Sequence, residues 1–325
     1  MGFGLHVFGV EIGGTKLQLF SGHPDGTIRR RVRFAVDRGA GGPGICRQIE
    51  QGLDELRGDA GARPAALGVG FGGPVDWQRG VICTSHQIAG WENFPLNQWL
   101  SECLARRYEG GNRIPVVVEN DANTGALGEA LCGAGRGSSP VFYVTLGSGV
   151  GGGLAVDGRI YHGAPPGEAE FGHLRLDHAG TIVESRCSGW AIDRRIREYA
   201  EREPNSELCK LVKTNGGKGG EARLLTAALR GGDAGAAAIL RELSADLALA
   251  LSHVIHLIHP ATIVLGGGLS LMGQPLLEPL VEKLPGYVMK GFWPVPAVKL
   301  AGLGEDAVPT GALLLAGRAA MERRA

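Results

Sequence analysis

The sequence predicts an α/β protein built from two similar lobes, and two observations carry that prediction. Short runs rich in Val, Ile and Phe alternate with Ala- and Leu-rich stretches of helical character. One unit also occurs twice: Val7-Phe8-Gly9-Val10-Glu11-Ile12-Gly13-Gly14-Thr15 is matched by Val141-Phe142-Tyr143-Val144-Thr145-Leu146-Gly147-Ser148-Gly149. Each copy is a strand running into a glycine-rich turn. Each turn feeds a second strand-like run, Leu17 to Phe20 in the first copy and Leu154 to Val156 in the second, before an Asp157-Gly158 turn.

The remaining elements follow from local signals. Pro115-Val116-Val117-Val118 reads as a buried strand that ends at Asn120-Asp121, with a helical Ala/Leu segment after it. Asp233 to His259 reads as one long helix, stopped by Pro260, and Thr262 to Leu265 as a buried strand. The stretch from Leu247 to Leu277 holds no Asp, Glu, Lys or Arg, enough residues to span a bilayer. Pro260 and the Gly266-Gly267-Gly268 turn break it, so it reads as core and not as a membrane span. A helix is expected after that triple glycine, a closing helix over Thr310 to Arg324, and a loop over Asn205 to Glu221.

Composition narrows the function. Lys and Arg together number 33, as do Asp and Glu, so the 325-residue chain is formally neutral. That removes the usual electrostatic case for nucleic acid or an anionic membrane as the main partner. Six scattered cysteines, with no CxxC pair, make neither a disulfide framework nor a zinc chelate. The first residues lack the basic start and apolar core of a signal peptide, and a cytoplasmic protein is expected. Glycine is the outlier, 55 residues in the chain, where about 7% is ordinary.

Backbone N–H groups in tight glycine turns converge on anions, so the duplicated turns suit a polyphosphate. Neither turn is a Walker A loop: Gly13-Gly14-Thr15-Lys16 has the wrong spacing and feeds a strand. Gly147-Ser148-Gly149-Val150-Gly151-Gly152 fits G-x-G-x-x-G, yet a hairpin follows it where a dinucleotide fold needs a helix. Gly266-Gly267-Gly268, at the end of a strand, suits an adenosine or α-phosphate contact.

Taken in order, these segments resemble the ROK family of sugar kinases and related repressors. The resemblance rests on Gly9 to Lys16, Gly72-Gly73-Pro74-Val75-Asp76, Gly90-Trp91-Glu92-Asn93 and Glu119-Asn120-Asp121-Ala122-Asn123. It continues through Thr145 to Gly153, Glu170-Phe171-Gly172-His173 and Leu265-Gly266-Gly267-Gly268. It implies two ribonuclease-H-like lobes of the actin/hexokinase type around a central cleft, divided as 1–121 plus 307–325 and 122–306. It implies ATP-dependent phosphorylation of a hexose, in the first place glucose at C6, with fructose, mannose and N-acetylhexosamines as alternatives. Asp121 is then the catalytic base. Gly73, Asn120, Glu170, His173 and Glu184 hold the sugar. Gly13, Gly14, Thr15, Lys16, Thr145, Gly147, Ser148, Gly149, Gly266 and Gly267 hold ATP. Glu11, where the family usually has Asp, faces Mg²⁺ directly or through its water shell. A homodimer is expected, with neither nucleic acid nor membrane as partner.

Asp121 makes the implied chemistry plausible from the residues too. A carboxylate at a strand's carboxyl end projects into a crevice, where it can take a proton from a hydroxyl. A helix cap is the plainer reading of Asn120-Asp121. A repressor of the same family would need a helix-turn-helix ahead of the first glycine turn, and only eight residues precede Gly9. A catalytically silent sugar binder is the other alternative.

The chain departs from the family where many members carry a Cys-x-Cys-Gly-x-x-Gly-Cys zinc loop. Here Leu174 to Glu184 contains no cysteine. His173, His178 and Cys187 offer three ligands without a chelating pair, so no zinc is expected. His253, His256 and His259 are expected to pack and not to ligate. Trp91 is a candidate sugar contact, and Gln87 a candidate pocket-tuning residue.

Overall fold

The computed structural model describes residues 5–60, 63–84, 90–108, 113–164, 167–216 and 219–323. In chain order the strands and helices begin with β1 (Val7–Ile12), β2 (Lys16–Gly22), β3 (Ile28–Ala35), α1 (Gly41–Ala60), β4 (Leu67–Phe71), β5 (Val75–Asp76), β6 (Val81–Ile82), α2 (Leu96–Arg107), β7 (Val116–Asn120) and α3 (Asp121–Cys132). There follow β8 (Val141–Leu146), β9 (Val150–Val156), β10 (Arg159–Ile160), α4 (Val183–Cys187), α5 (Gly189–Arg202), α6 (Glu207–Asn215), α7 (Leu225–Arg230), α8 (Ala234–Ile258), β11 (Thr262–Gly266), α9 (Gln274–Lys283), β12 (Ala297–Leu300) and α10 (Ala307–Glu322).

The sequence echo is an echo of wiring. One sheet has the order β3-β2-β1-β4-β7, and another the order β10-β9-β8-β11-β12. Strand for strand these are the same arrangement, with the glycine turn joining the central strand to its neighbour in each. β4 runs parallel to β1, as β11 does to β8.

The chain divides into two compact units. Unit 1 comprises 1–136, 153–168 and 305–325, and unit 2 comprises 137–152 and 169–304. Unit 1 thus runs past residue 121 and takes in the helix that follows. The reason is α3, which packs closely along α10. A Cβ on Gly311 would overlap the Thr124 carbonyl oxygen, so only glycine permits the approach.

In unit 1 the core is apolar and continuous, running from Phe8, Val10 and Ile12 of β1 through Leu53 of α1 to Val118 of β7. Trp91 belongs to it. The ring is 1% exposed and lies 5.5 Å from Phe94 and 5.7 Å from Phe71, so it is packing and not a sugar platform. Gln87 lies outside the described residues.

In unit 2 the long helix has the ends that its sequence announced. Asp233 caps α8 by accepting from the Ala236 N–H at 2.9 Å, and His259 closes it at φ 50°. His256 and His259 both set their rings edge-on to Phe292, as packing residues do. Two expectations fail here. The segment 205–221 contains α6, capped by Ser206 through the Cys209 N–H, where a loop was expected. After the triple glycine comes a 3₁₀ turn, Gly268–Met272, and the α-helix begins only after Gly273. Among the described residues, no helix is long and apolar enough to cross a membrane.

Candidate functional site

Three parallel strands end side by side in unit 1. Ile12 of β1 is opposite Phe71 of β4, and Phe71 is opposite Asn120 of β7. Gly13, Gly72 and Asp121 therefore follow in one row along the carboxyl edge of the sheet. A Cβ placed on Gly72 would stand 3.3 Å from Asp121 Oδ2 and 3.7 Å from the Gly13 Cα. The predicted base thus lies beside the mouth of the first glycine turn.

Asn120 does two jobs there. Its Oδ1 accepts from the N–H groups of Ala122 at 2.9 Å and Asn123 at 3.3 Å, capping α3, while its Nδ2 donates to the Gly73 carbonyl at 3.0 Å. The cap fixes the corner on which Asp121 stands, and Asp121, the first residue of α3, places its negative charge at the helix's positive end. Cap and catalytic readings of this pair are therefore compatible.

Glu11 sits on β1 one residue before its end. Its carboxylate pairs with Lys16 Nζ at 3.4 Å and accepts from Gln18 Nε2. Burial pushes its pKa up, with Lys16 and Gln18 pulling the other way. Lys16 is thus engaged with Glu11. The turn itself closes by a Gly13 N–H to Lys16 carbonyl bond of 2.9 Å, and Thr15 is exposed.

In unit 2 the second glycine turn is closed by Gly147 N–H to Gly149 carbonyl, 3.0 Å, and the Gly147 carbonyl accepts from Gly189 N–H at 2.8 Å. Glu184, on α4, accepts from the Val150 N–H at 2.8 Å, and a Cβ on Gly149 would be 2.5 Å from its Oε2. A residue expected at the sugar therefore braces a turn expected at the nucleotide. Glu170 precedes a 3₁₀ turn, Phe171–His173, that His173 ends, and both side chains are exposed. Thr145 of β8 is paired with Gly266 of β11, and the Gly267 carbonyl accepts from Ser270 Oγ at 2.7 Å.

Sequence reasoning passed over three residues of unit 1: Glu119, His162 and Glu168. Glu119 is 4% exposed, and His162 Nε2 lies 2.6 Å from its Oε2. Asn123 Nδ2 donates to Glu168 Oε1 at 2.6 Å. A charged residue in a strand of valines was the available signal for Glu119; nothing local pointed to its partners.

The model of the ROK family matches residues 7–319 of this chain. The chain belongs to the ROK family. A glucokinase from Thermotoga maritima is 31% identical over 316 residues, covering 95% of this chain and 96% of that one. A glucokinase from Halalkalibacterium halodurans is 30% identical over 311 residues, 92% of this chain and 91% of that one. Among solved structures, a ROK family glucokinase from Streptomyces griseus in complex with glucose and AMPPNP superposes with a TM-score of 0.82 at 30% identity. It covers 96% of this chain and 99% of its own.

The zinc-loop position of this ROK chain holds a small hairpin. Arg175 bridges Ile182, Leu176 N–H donates to the Thr181 carbonyl at 2.8 Å, and Asp177 Oδ1 accepts from Thr181 N–H at 3.0 Å. Hydrogen bonds thus close the loop. Among the described residues, no group of three or more His, Cys, Asp or Glu is arranged to hold a metal ion. Cys187 is buried, and desolvation raises its thiol pKa far above the ordinary range, which keeps it a protonated packing residue.

Proposed function

We propose that this sugar kinase of the ROK family transfers the γ-phosphoryl group of ATP to the C6 hydroxyl of an aldohexose, glucose first among them. The observation that carries the reading is the place of Asp121, at the carboxyl end of β7 and beside Gly13 and Gly72. Its carboxylate takes the hydroxyl proton as the sugar oxygen bonds to the γ-phosphorus. The bond from that phosphorus to the bridging oxygen breaks, leaving hexose 6-phosphate and ADP, and the proton then leaves Asp121 for solvent. Such a transition state asks mainly for alignment and charge neutralisation.

In this reading Gly73, Asn120, Glu170, His173 and Glu184 hold the sugar. Gly13, Gly14, Thr15, Lys16, Thr145, Gly147, Ser148, Gly149, Gly266 and Gly267 take the nucleotide. Glu11 fits Mg²⁺: it is a hard oxygen donor whose carboxylate is mostly buried and already drawn to a cation, Lys16. Mg²⁺ commonly needs only one or two carboxylates besides substrate phosphates. When bound it supplies neutralisation of phosphate charge, and Glu11 would hold it.

The reading is tested by ADP release with ATP and Mg²⁺ over glucose, mannose, fructose and N-acetylglucosamine. Turnover is expected, fastest with glucose. Sugar binding without turnover on any of the four contradicts it.

A further inference from the structure

Resting on the kinase reading above, we propose that Glu119 is a positioning residue for Asp121, held and neutralised by His162 beneath the indole of Trp77. Glu119 touches none of the reacting atoms; it acts through the corner between β7 and α3. Its Oε1 accepts from the Asn120 N–H at 2.8 Å and from Asn123 Nδ2 at 3.2 Å. Those two residues bracket Asp121. One carboxylate thus ties both sides of the catalytic position to a strand end that is itself fixed in a parallel sheet.

A carboxylate 4% exposed is costly unless paired and hydrogen-bonded. The partner comes from the segment after β10, where His162 Nε2 meets Glu119 Oε2 at 2.6 Å. That segment is itself clamped to α3. Glu168 accepts from Asn123 Nδ2 at 2.6 Å and from the Gly163 N–H at 3.1 Å. Trp77, in the turn between β5 and β6, stacks on the imidazole with centroids 4.0 Å apart and planes 16° from parallel. An aromatic face so placed favours the imidazolium.

Among the described residues, two carboxylates act on the charge of the ring. Glu119 faces it from β7, and Glu168 from its own segment. Asp76 and Arg79, flanking Trp77, pair with each other at 3.8 Å, and Asp121 stands on α3. Desolvation lowers the His162 pKa, but the hydrogen bond and charge of Glu119, with Glu168, raise it above 6.5 on balance. The imidazolium form therefore supports the corner fully below pH 6.5, and that support is lost as pH rises through the folded pKa.

The test compares pH profiles of kcat and KM for glucose phosphorylation in the wild type, Glu119→Gln, His162→Gln and Trp77→Leu, with melting temperatures alongside. The wild type is expected to lose kcat along an alkaline limb above pH 6.5. His162→Gln keeps a donor without a charge, so the limb vanishes; Trp77→Leu moves it to lower pH. Glu119→Gln is expected to lower kcat about tenfold, with KM for glucose little changed, as misplacement of a catalytic group does. A wild type that phosphorylates no hexose removes the kinase reading and this inference with it. An active wild type whose pH profile superposes on those of folded His162→Gln and Trp77→Leu overturns this inference alone.

Discussion

Asp121 Oδ2 lies 3.3 Å from the point a Cβ on Gly72 would occupy. A methyl group there forces the carboxylate to shift by a few tenths of an ångström, away from the row of strand ends. Gly72→Ala is therefore expected to lower kcat by about tenfold, since small displacements of a catalytic group are expensive in rate. Steady-state kinetics beside a thermal melt check this: kcat falls while the melting temperature changes little.

Glu184 and the second glycine turn give a different signature. Removing the side chain in Glu184→Ala leaves the Val150 N–H, now bonded at 2.8 Å, without its acceptor. The cost is expected to be about 1–3 kcal/mol of unfolding free energy. KM for ATP should rise together with KM for the hexose, because the same carboxylate braces the turn. Urea unfolding and two-substrate kinetics measure both; a change in sugar KM alone contradicts the shared role.

Glu11 predicts a pH dependence whose sign is set by burial. Its pKa in the folded chain is raised above the ordinary 4.5, so the folded state binds the proton more tightly. Stability from this group is greatest below pH 4.5 and declines as pH rises through the raised value. Glu11→Gln removes that decline. The variant is expected to gain stability relative to the wild type at pH 7 but not at pH 4, while losing activity. Denaturant titrations at the two pH values decide the matter.

The β-strand ends and α8 were legible because their signals are local. A valine run stops at Asn120-Asp121, and Asp233 and Pro260 mark the limits of a long apolar helix. The duplicated turns showed the repeated sheet order for the same reason. What stayed hidden depends on contacts distant in sequence. α6 begins where the Leu208 N–H bonds to Asp233, 25 residues away, and the glycine-rich run after it disguised it. The pairing of Glu119 with His162 spans 43 residues. The motif around Trp91 makes it a candidate sugar contact, but only the fold shows that Phe71 and Phe94 enclose it. The resemblance gave no hint that Glu184 braces Gly149.

Ala169 carries backbone strain. Its φ is 55°, a conformation that favours glycine, immediately before the Glu170–His173 segment. Ala169→Gly is expected to stabilise the chain by about 1 kcal/mol, the relief outweighing the extra freedom of the unfolded glycine. Calorimetric melting should register the gain. A lower melting temperature would mean that the strain is compensated by contacts of the methyl group.

The most direct measurement compares Asp121→Asn with the wild type, reading phosphoryl transfer to glucose and glucose binding by calorimetry in separate experiments. The account predicts a kcat lowered by about 10²–10⁴-fold, the range supplied by a positioned base. The Kd for glucose is predicted to hold within about threefold, under 1 kcal/mol. A variant that turns over at the wild-type rate contradicts the assignment of Asp121 as the base.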